Sequence, residues 1–238
     1  GCAACAAATH PQNGYRNTSQ YASYEAQLLN GELALAGHYH IDLEGAVTWA
    51  FTFPGHPYFV GFRSLSTHGI DKPVLSVFRM LGMMSGDRLE SESSGAVSFP
   101  DLLHAAAGAK PDINVMAARD GNEISVLLWN YDDSAEAAPP AQVAVTIASL
   151  PRSARRLFVE HFRVDQSHSN AFTLWKSMGS PQHPCPEQVA RLKDAGQLHL
   201  LASPSWRRPK NGALSLRFEL PRQAVSLLRI SWSGDQPN

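Results

Sequence analysis

The spacing of apolar residues changes once along the chain, near Gly86, and this change limits the fold more than any other feature. Beyond Gly86 the apolar residues recur at every second position, in short runs separated by turn signals. Val143, Val145 and Ile147 alternate with smaller or polar residues, as do Leu214, Leu216, Phe218 and Leu220 with Ser215, Arg217 and Glu219. Asp120-Gly121 joins the runs Ile113–Ala118 and Glu123–Tyr131 as a hairpin turn would. Leu157–Val164 and Val225–Trp232 complete the series. Short runs of period two linked by tight turns predict an antiparallel β-sandwich. A long insertion over residues 165–212 interrupts it, with helices expected near Asn170–Met178 and Pro186–Ala195. Connections of that length in compact domains tend to be functional or interfacial.

Before Gly86 the grammar is different. Residues 1–20 are small, polar and irregular. Ser19 can cap a following helix whose apolar stripe is Tyr21, Tyr24 and Leu28, with Gly31 interrupting the pattern and Gly37 closing it. Ala46–Phe53 reads as a strand, β-branched and aromatic, apolar on both faces like a buried parallel strand, and stopped by Pro54-Gly55. After a loop over His56–Gly69, Asp71-Lys-Pro73 opens a second helix with Val74, Val77, Phe78 and Leu81 on one face. Helix, strand, loop and helix in that order form an α/β unit. The expected fold class is therefore α/β plus all-β, with one region over residues 1–86 and an antiparallel sandwich with a helical insertion over residues 87–238. The Ala/Pro-rich stretch Ala135–Ala141 reads as a loop within the second region, and no internal repeat is visible.

Composition narrows the function. Twenty Lys and Arg against 21 Asp and Glu leave a formal charge of −1, without the cationic excess that nucleic acid demands of a main partner. No apolar run reaches the ~20 residues of a membrane helix, so no membrane partner is expected. No basic-then-apolar leader is legible, which favours a cytoplasmic over a secreted location and leaves localisation open. Cys2, Cys5 and Cys185 are too few for a disulfide framework.

Several small patterns each have an ordinary reading beside a chemical one. Cys2-Ala-Ala-Cys5 has the spacing of half a zinc knuckle or a redox pair, but no second CxxC or His pair follows it. His38-Tyr-His40, with Asp42 or Glu44 nearby, could offer metal ligands or could be a solvated helix-to-strand loop. No metal or cofactor is therefore assigned. No GxSxG elbow supports a serine nucleophile. Arg152, Arg155 and Arg156 form one small basic group and Arg207, Arg208 and Lys210 another, each read as solvated surface or an oligomer contact. Asn17-Thr18-Ser19 fits a glycosylation acceptor, though nothing else points to secretion. The loop after the expected strand is richer. Trp49, Phe51, His56, Tyr58, Phe59, Phe62 and Arg63 crowd aromatic and polar groups at the C-terminal end of a strand, where barrel and doubly wound enzymes place their sites. Aromatic faces stack on sugar C–H faces while polar neighbours bind hydroxyls. A carbohydrate subsite and an ordinary aromatic core both fit this loop.

Gly1–Cys5 followed by Pro11-Gln-Asn-Gly-Tyr-Arg-Asn17 resembles the segment after the nucleophile strand in family 39 glycoside hydrolases of the β-xylosidase type. Thr48-Trp-Ala-Phe51 resembles their final barrel strand. Gly69-Ile-Asp-Lys-Pro-Val-Leu75, with Phe78-Arg-Met-Leu-Gly82, resembles their last barrel helix. Val126-Leu-Leu-Trp-Asn-Tyr131, Arg163-Val-Asp165 with His168-Ser-Asn170, and Trp175-Lys-Ser-Met-Gly-Ser-Pro-Gln182 resemble their accessory sandwich; the last string is the most specific.

The resemblance implies a retaining hydrolase of β-xylosides, in which one carboxylate attacks the anomeric carbon and a second, ~5–5.5 Å away, protonates the leaving oxygen. In relatives the acid/base Glu lies in an Asn-Glu-Pro motif, and the nucleophile Glu lies shortly before the segment that Gly1–Cys5 resembles. This sequence contains no Asn-Glu-Pro, and Glu25, Glu32 and Glu44 sit in no matching context, so no catalytic residue is assigned. A complete (β/α)8 barrel takes ~250 residues. Residues 1–86 are therefore expected to be the remnant of a barrel's end, needing a missing N-terminal portion and inactive alone, with apolar surface exposed on the strand carrying Trp49 and on both helices. Trp49 aligns with a tryptophan that floors the sugar subsite, and Phe51, His56 and Tyr58 lie where the family's last strand-loop lines the pocket. Relatives with acidic residues after that tryptophan differ from the Thr52–His56 stretch here. The expected partner is a xylose-containing oligosaccharide or glycoside, and the insertion suggests a homo-oligomer. One alternative is a non-catalytic carbohydrate-binding or oligomerisation module using Trp129, Trp175, Trp206 and Trp232, although Trp129 and Trp232 read as core. Another is arabinosidase or iduronidase specificity on the same scaffold.

Overall fold

The structure is a computed structural model, which describes residues 11–48, 55–98, 100–101, 110–134 and 138–233. A 3-10 turn, Pro11–Asn17, leads into helix α1, Ser19–His38. Thr18, one residue earlier than expected, caps it by accepting the Gln20 N–H at 3.2 Å. Gly31 does not interrupt α1, which runs on through Gly37. A helical glycine costs about 1 kcal/mol, and the tertiary contacts of α1 offset this. Ala22 and Ala26 are fully buried, and Leu29 and Leu33 pack on the same core. A two-stranded hairpin that the sequence pattern did not announce, β1 (Ser66–Thr67) with β2 (Ile70–Asp71), then precedes helix α2, Pro73–Gly82. Pro73 starts α2, where a missing N–H is harmless, and Val74, Val77 and Met80 are buried. Of the expected strand over 46–53, residues 46–48 have no regular structure and the rest lies outside the described residues.

Beyond Gly86 the strands are β3 (Asp87–Leu89), β4 (Asp112–Asp120), β5 (Glu123–Tyr131), β6 (Ala141–Ile147), β7 (Leu157–Val164), β8 (His199–Leu200), β9 (Ser205–Arg207), β10 (Leu214–Leu220) and β11 (Ala224–Ser231), of which β3, β8 and β9 were not expected. The insertion contributes helices α3 (Ala171–Ser177) and α4 (Pro186–Gly196). Among the described residues every pairing is antiparallel. The large sheet runs β3-β4-β5-β11-β7-β8, with β9 also paired to β7, and β6 and β10 form a separate pair.

Alternation explains the layering. On β5, Ile124, Val126 and Leu128 face a core shared with the β6–β10 pair, whereas Leu127 and Trp129 face α1 and α2. The central strands are thus covered on both faces, and each fully buried side chain of this kind contributes about 1.5–3 kcal/mol. Glycine is required at Gly86 (φ +81°), where a Cβ would collide with the Arg119 carbonyl at the entry to β3. Among the described residues of the first region, exposed apolar side chains fall on the turn before α1, on α1 and on the segment after it (Tyr15, Tyr24, Leu28, Tyr39, Ile41, Leu43, Val47) and not on α2 as expected, because α2 is flanked by both α1 and the sheet. Among the described residues no helix is long and apolar enough to cross a membrane.

Candidate functional site

The aromatic loop between Gly55 and Gly69 is held from three directions. From below, Asn17 Nδ2 donates to the Phe59 carbonyl at 2.6 Å and Arg16 Nη1 to the Gly61 carbonyl at 3.0 Å. Gly61 lies so close to Asn13 that a Cβ there would sit 2.6 Å from the Asn13 carbonyl oxygen. From the start of α2, Lys72 Nζ donates to the carbonyls of Phe62 (3.1 Å) and Val60 (3.4 Å). Lys72 is fully buried, and burial, with Arg16 nearby, lowers its pKa to about 7. A cation without a carboxylate partner in such a place is unfavourable, and two backbone acceptors offset part of the cost. From the third side, the Tyr58 N–H donates to Gln182 Oε1 at 2.8 Å.

Gln182 reaches the loop because α3 ends in a tight return. Trp175 Nε1 donates to the Pro181 carbonyl at 2.9 Å, and Gly179 and Ser180 take left-handed φ of +83° and +58°. Trp175 and Phe172 pack on Phe59, with ring centroids 5.0 and 5.4 Å away. The entry to α3 is fixed just as firmly. Asp165 accepts from Ser167 N (2.7 Å), His168 N (2.8 Å) and His168 Nδ1 (2.9 Å), and Asn170 Oδ1 caps α3 through Thr173 N at 3.1 Å.

His56 and Tyr58 are both half-buried and are brought together by His68, which sequence reasoning missed. Tyr58 stacks on His68 at 4.1 Å, the His56 and His68 rings are 4.6 Å apart, and His68 Nε2 lies 2.8 Å from the His56 carbonyl. The available signal was His68-Gly69, a turn with two consecutive left-handed residues that folds the loop back on itself. Trp49 and Phe51 lie outside the described residues. The neighbouring segments border a groove of about 730 Å³ between α1 and α2, lined by Thr48 and Arg63 together with Tyr15, Tyr21, Tyr24, Glu25, Glu32 and Tyr131. Burial raises the Glu25 pKa, and a hydrogen bond from Tyr21 and the charge of Arg63 partly counter it. Burial, then Glu25, pushes the Tyr21 phenol up. Glu25 and Glu32 are two helical turns apart, a rise of ~10.5 Å, which does not match the ~5–5.5 Å of a retaining pair.

Among the described residues no group of three His, Cys, Asp or Glu side chains could hold a metal ion. Cys2 and Cys5 lie outside the described residues, and Cys185, exposed and free, stands at the N-terminus of α4. Trp129, Trp175 and Trp232 are buried in the core layers and only Trp206 is exposed, so these four tryptophans form no row on the surface.

The loop is thus held jointly by the turn before α1, the start of α2 and the insertion of the antiparallel sheet. The chain belongs to the glycosyl hydrolases family 39, whose model matches residues 4–212. It is 27% identical over 172 residues to a β-xylosidase of Caldicellulosiruptor saccharolyticus, covering 72% of this chain and 32% of that protein. It is 24% identical over 193 residues to the α-L-iduronidase of Mus musculus, covering 74% and 29%. The fold matches that of the GH39 enzyme from Xanthomonas axonopodis pv. citri with a TM-score of 0.71 at 16% identity, over 92% of this chain and 42% of that one. The chain thus spans about a third of the length of these curated relatives.

Proposed function

We propose that the chain is part of a retaining glycoside hydrolase that cleaves β-xylosides or xylo-oligosaccharides. In this reading residues 1–86 form the end of its (β/α)8 barrel and residues 87–238 its accessory sandwich. One observation carries it: three of the strings that resemble the β-xylosidase type converge on one loop. Arg16 and Asn17 come from the first, Lys72 from the second, and Trp175 and Gln182 from the third. A loop over-determined in this way can present His56 and Tyr58 in a fixed geometry, which is what positioning a sugar ring requires. Trp49 is taken as the floor of the subsite, with Phe51 beside it. The two catalytic glutamates are assigned to residues outside this chain, because it holds no Asn-Glu-Pro and Glu25, Glu32 and Glu44 sit in no matching context. In that reaction one glutamate attacks the anomeric carbon as the other protonates the leaving oxygen, and water then releases the sugar.

The test uses 4-nitrophenyl β-D-xyloside. The 238-residue chain alone gives no turnover. Joined to the upstream two-thirds of the Caldicellulosiruptor saccharolyticus β-xylosidase, it gives turnover of the β-xyloside and not of an α-L-iduronide. In that chimera Tyr58→Ala or His56→Ala lowers kcat/KM by about tenfold, the scale of one lost hydrogen bond or stacking contact. Turnover by the chain alone, or a chimera that prefers the iduronide, overturns the assignment.

A further inference from the structure

The two basic groups, far apart in sequence, meet at one corner of the large sheet. Strand β9 pairs with the start of β7, setting Arg207 opposite Leu157 and Trp206 opposite Phe158. Ahead of β7, Leu150 N donates to the Gly212 carbonyl at 2.9 Å, so residues 150–158 and 205–213 run side by side. Arg152, Arg155 and Arg156 from the first segment and Arg207, Arg208 and Lys210 from the second are all exposed. Neither segment contains a carboxylate, in a chain of formal charge −1. None of the six cations forms an ion pair among the described residues. Six like charges brought to one corner repel one another.

Trp206 lies in this corner, 53% exposed, with Phe158 at 5.1 Å and the Arg156 guanidinium 4.8 Å above its ring. Beside it is a hollow of about 300 Å³ lined by Phe158, Trp206, Ser231, Trp232 and Ser233. Trp232 is buried, and its indole N–H has no acceptor among the described residues. Phe158 and Asp165, where the insertion toward the aromatic loop begins, are seven residues apart, ~23 Å along an extended strand. The corner is therefore separate from the candidate site.

We propose that this corner is an ancillary binding site for an acidic polysaccharide, a chain of pyranose rings bearing carboxylate groups. An exposed indole stacks on the C–H face of a pyranose, guanidinium groups pair with carboxylates in a bidentate fork, and Ser231 and Ser233 at the edge of the aromatic hollow bond hydroxyls. A single aromatic platform carrying one guanidinium, with further cations on the two adjoining segments, matches substituted sugar rings better than a nucleic-acid backbone, which calls for successive stacking platforms along a groove. The choice of a polysaccharide rests on the glycosidase reading above. The site would hold an acid-substituted glycan near the enzyme while cleavage proceeds elsewhere.

The test titrates the full 238-residue chain with glucuronic-acid-substituted xylan, with the same xylan after its carboxyl groups are reduced to alcohols, and with a DNA duplex. The acidic xylan binds, the carboxyl-reduced xylan binds about tenfold more weakly, and raising the salt weakens the first selectively. Trp206→Ala lowers affinity for the acidic xylan about tenfold, the scale of one aromatic contact, as does the double change Arg156→Ala with Arg208→Ala. All three residues are exposed, and thermal unfolding is unchanged. Four results would each overturn the proposal: no binding of acidic xylan, equal binding of the reduced form, tighter binding of DNA, or full affinity in Trp206→Ala. A dimer abolished by Trp206→Ala would assign the corner to a second copy of the chain and overturn it too. Each of these results leaves the xyloside turnover of the chimera unaffected, so the two readings fail independently.

Discussion

Replacing Lys72 by methionine keeps the length of the side chain and removes its proton. In the native state this amine is fully buried with a pKa of about 7, against 10.5 for an ordinary lysine. Between those values the unfolded chain binds the proton and the folded one releases it, so stability rises with pH across that window. With one pKa unit equal to 1.36 kcal/mol and the folded amine half-titrated at pH 7, the wild type gains about 2 kcal/mol between pH 7 and pH 9. Lys72→Met gains nothing from this source, and all other titrating groups are common to both proteins. Urea unfolding of the two at pH 7, 8 and 9 therefore gives a stability difference that moves toward the wild type by about 2 kcal/mol. A difference that stays constant within about 0.5 kcal/mol over that range would refute a buried, unpaired lysine. Hydrogen exchange reports the structural side. The Val60 and Phe62 carbonyls lose the bond from Nζ, and amides 58–63 exchange faster in the variant.

Other sites give sharper single readings. Gln182→Ala removes the acceptor of the Tyr58 amide and costs about 1 kcal/mol, read as faster exchange at Tyr58; an unchanged rate would remove the insertion from the clamp. Trp129→Phe cuts the 2.8 Å hydrogen bond from the indole to buried Asp112, which also accepts from Val97 N and Gln27, and lowers stability by about 2–4 kcal/mol by chemical denaturation. Burial and Arg163 hold His161 down to about 4. Protonating it is therefore harder in the native state than in the unfolded chain, stability falls as pH drops from about 6.5 toward 4, and His161→Asn flattens that limb; an NMR titration of His161 with its midpoint near 6.5 would contradict this.

The strand pattern was legible because a half-buried strand such as Leu214–Leu220 writes its two faces into alternate residues, and a strand covered on both faces such as Glu123–Tyr131 shows as a short apolar run after a tight turn; both have the bounds expected. Proline at the start of α2 and Asp120-Gly121 in the hairpin set their own conformations and were equally clear. Gly31 misled, because helix propensity is weak beside the packing of Ala22 and Ala26 on the sheet. The short strands β8 and β9 were missed because two or three residues carry no period, and they exist only where the insertion passes the edge strand β7. Of the site residues, His56 and Tyr58 could be picked out as aromatic and polar groups after a strand. His68 and Gln182 could not, since each matters only through what it touches.

What this chain's residues determine alone is local: the periods, the caps, the turns and the family to which its strings belong. Those follow from interactions among neighbours in sequence, for which spacing is enough. Only the tertiary structure decides that Lys72 is buried beneath the aromatic loop and that Gln182 closes it from more than a hundred residues away. The same holds for the two arginine groups, harmless when apart, which share one corner with Trp206. Burial and charge density are properties of volume, and a linear sequence does not record which distant segments will fill the same space.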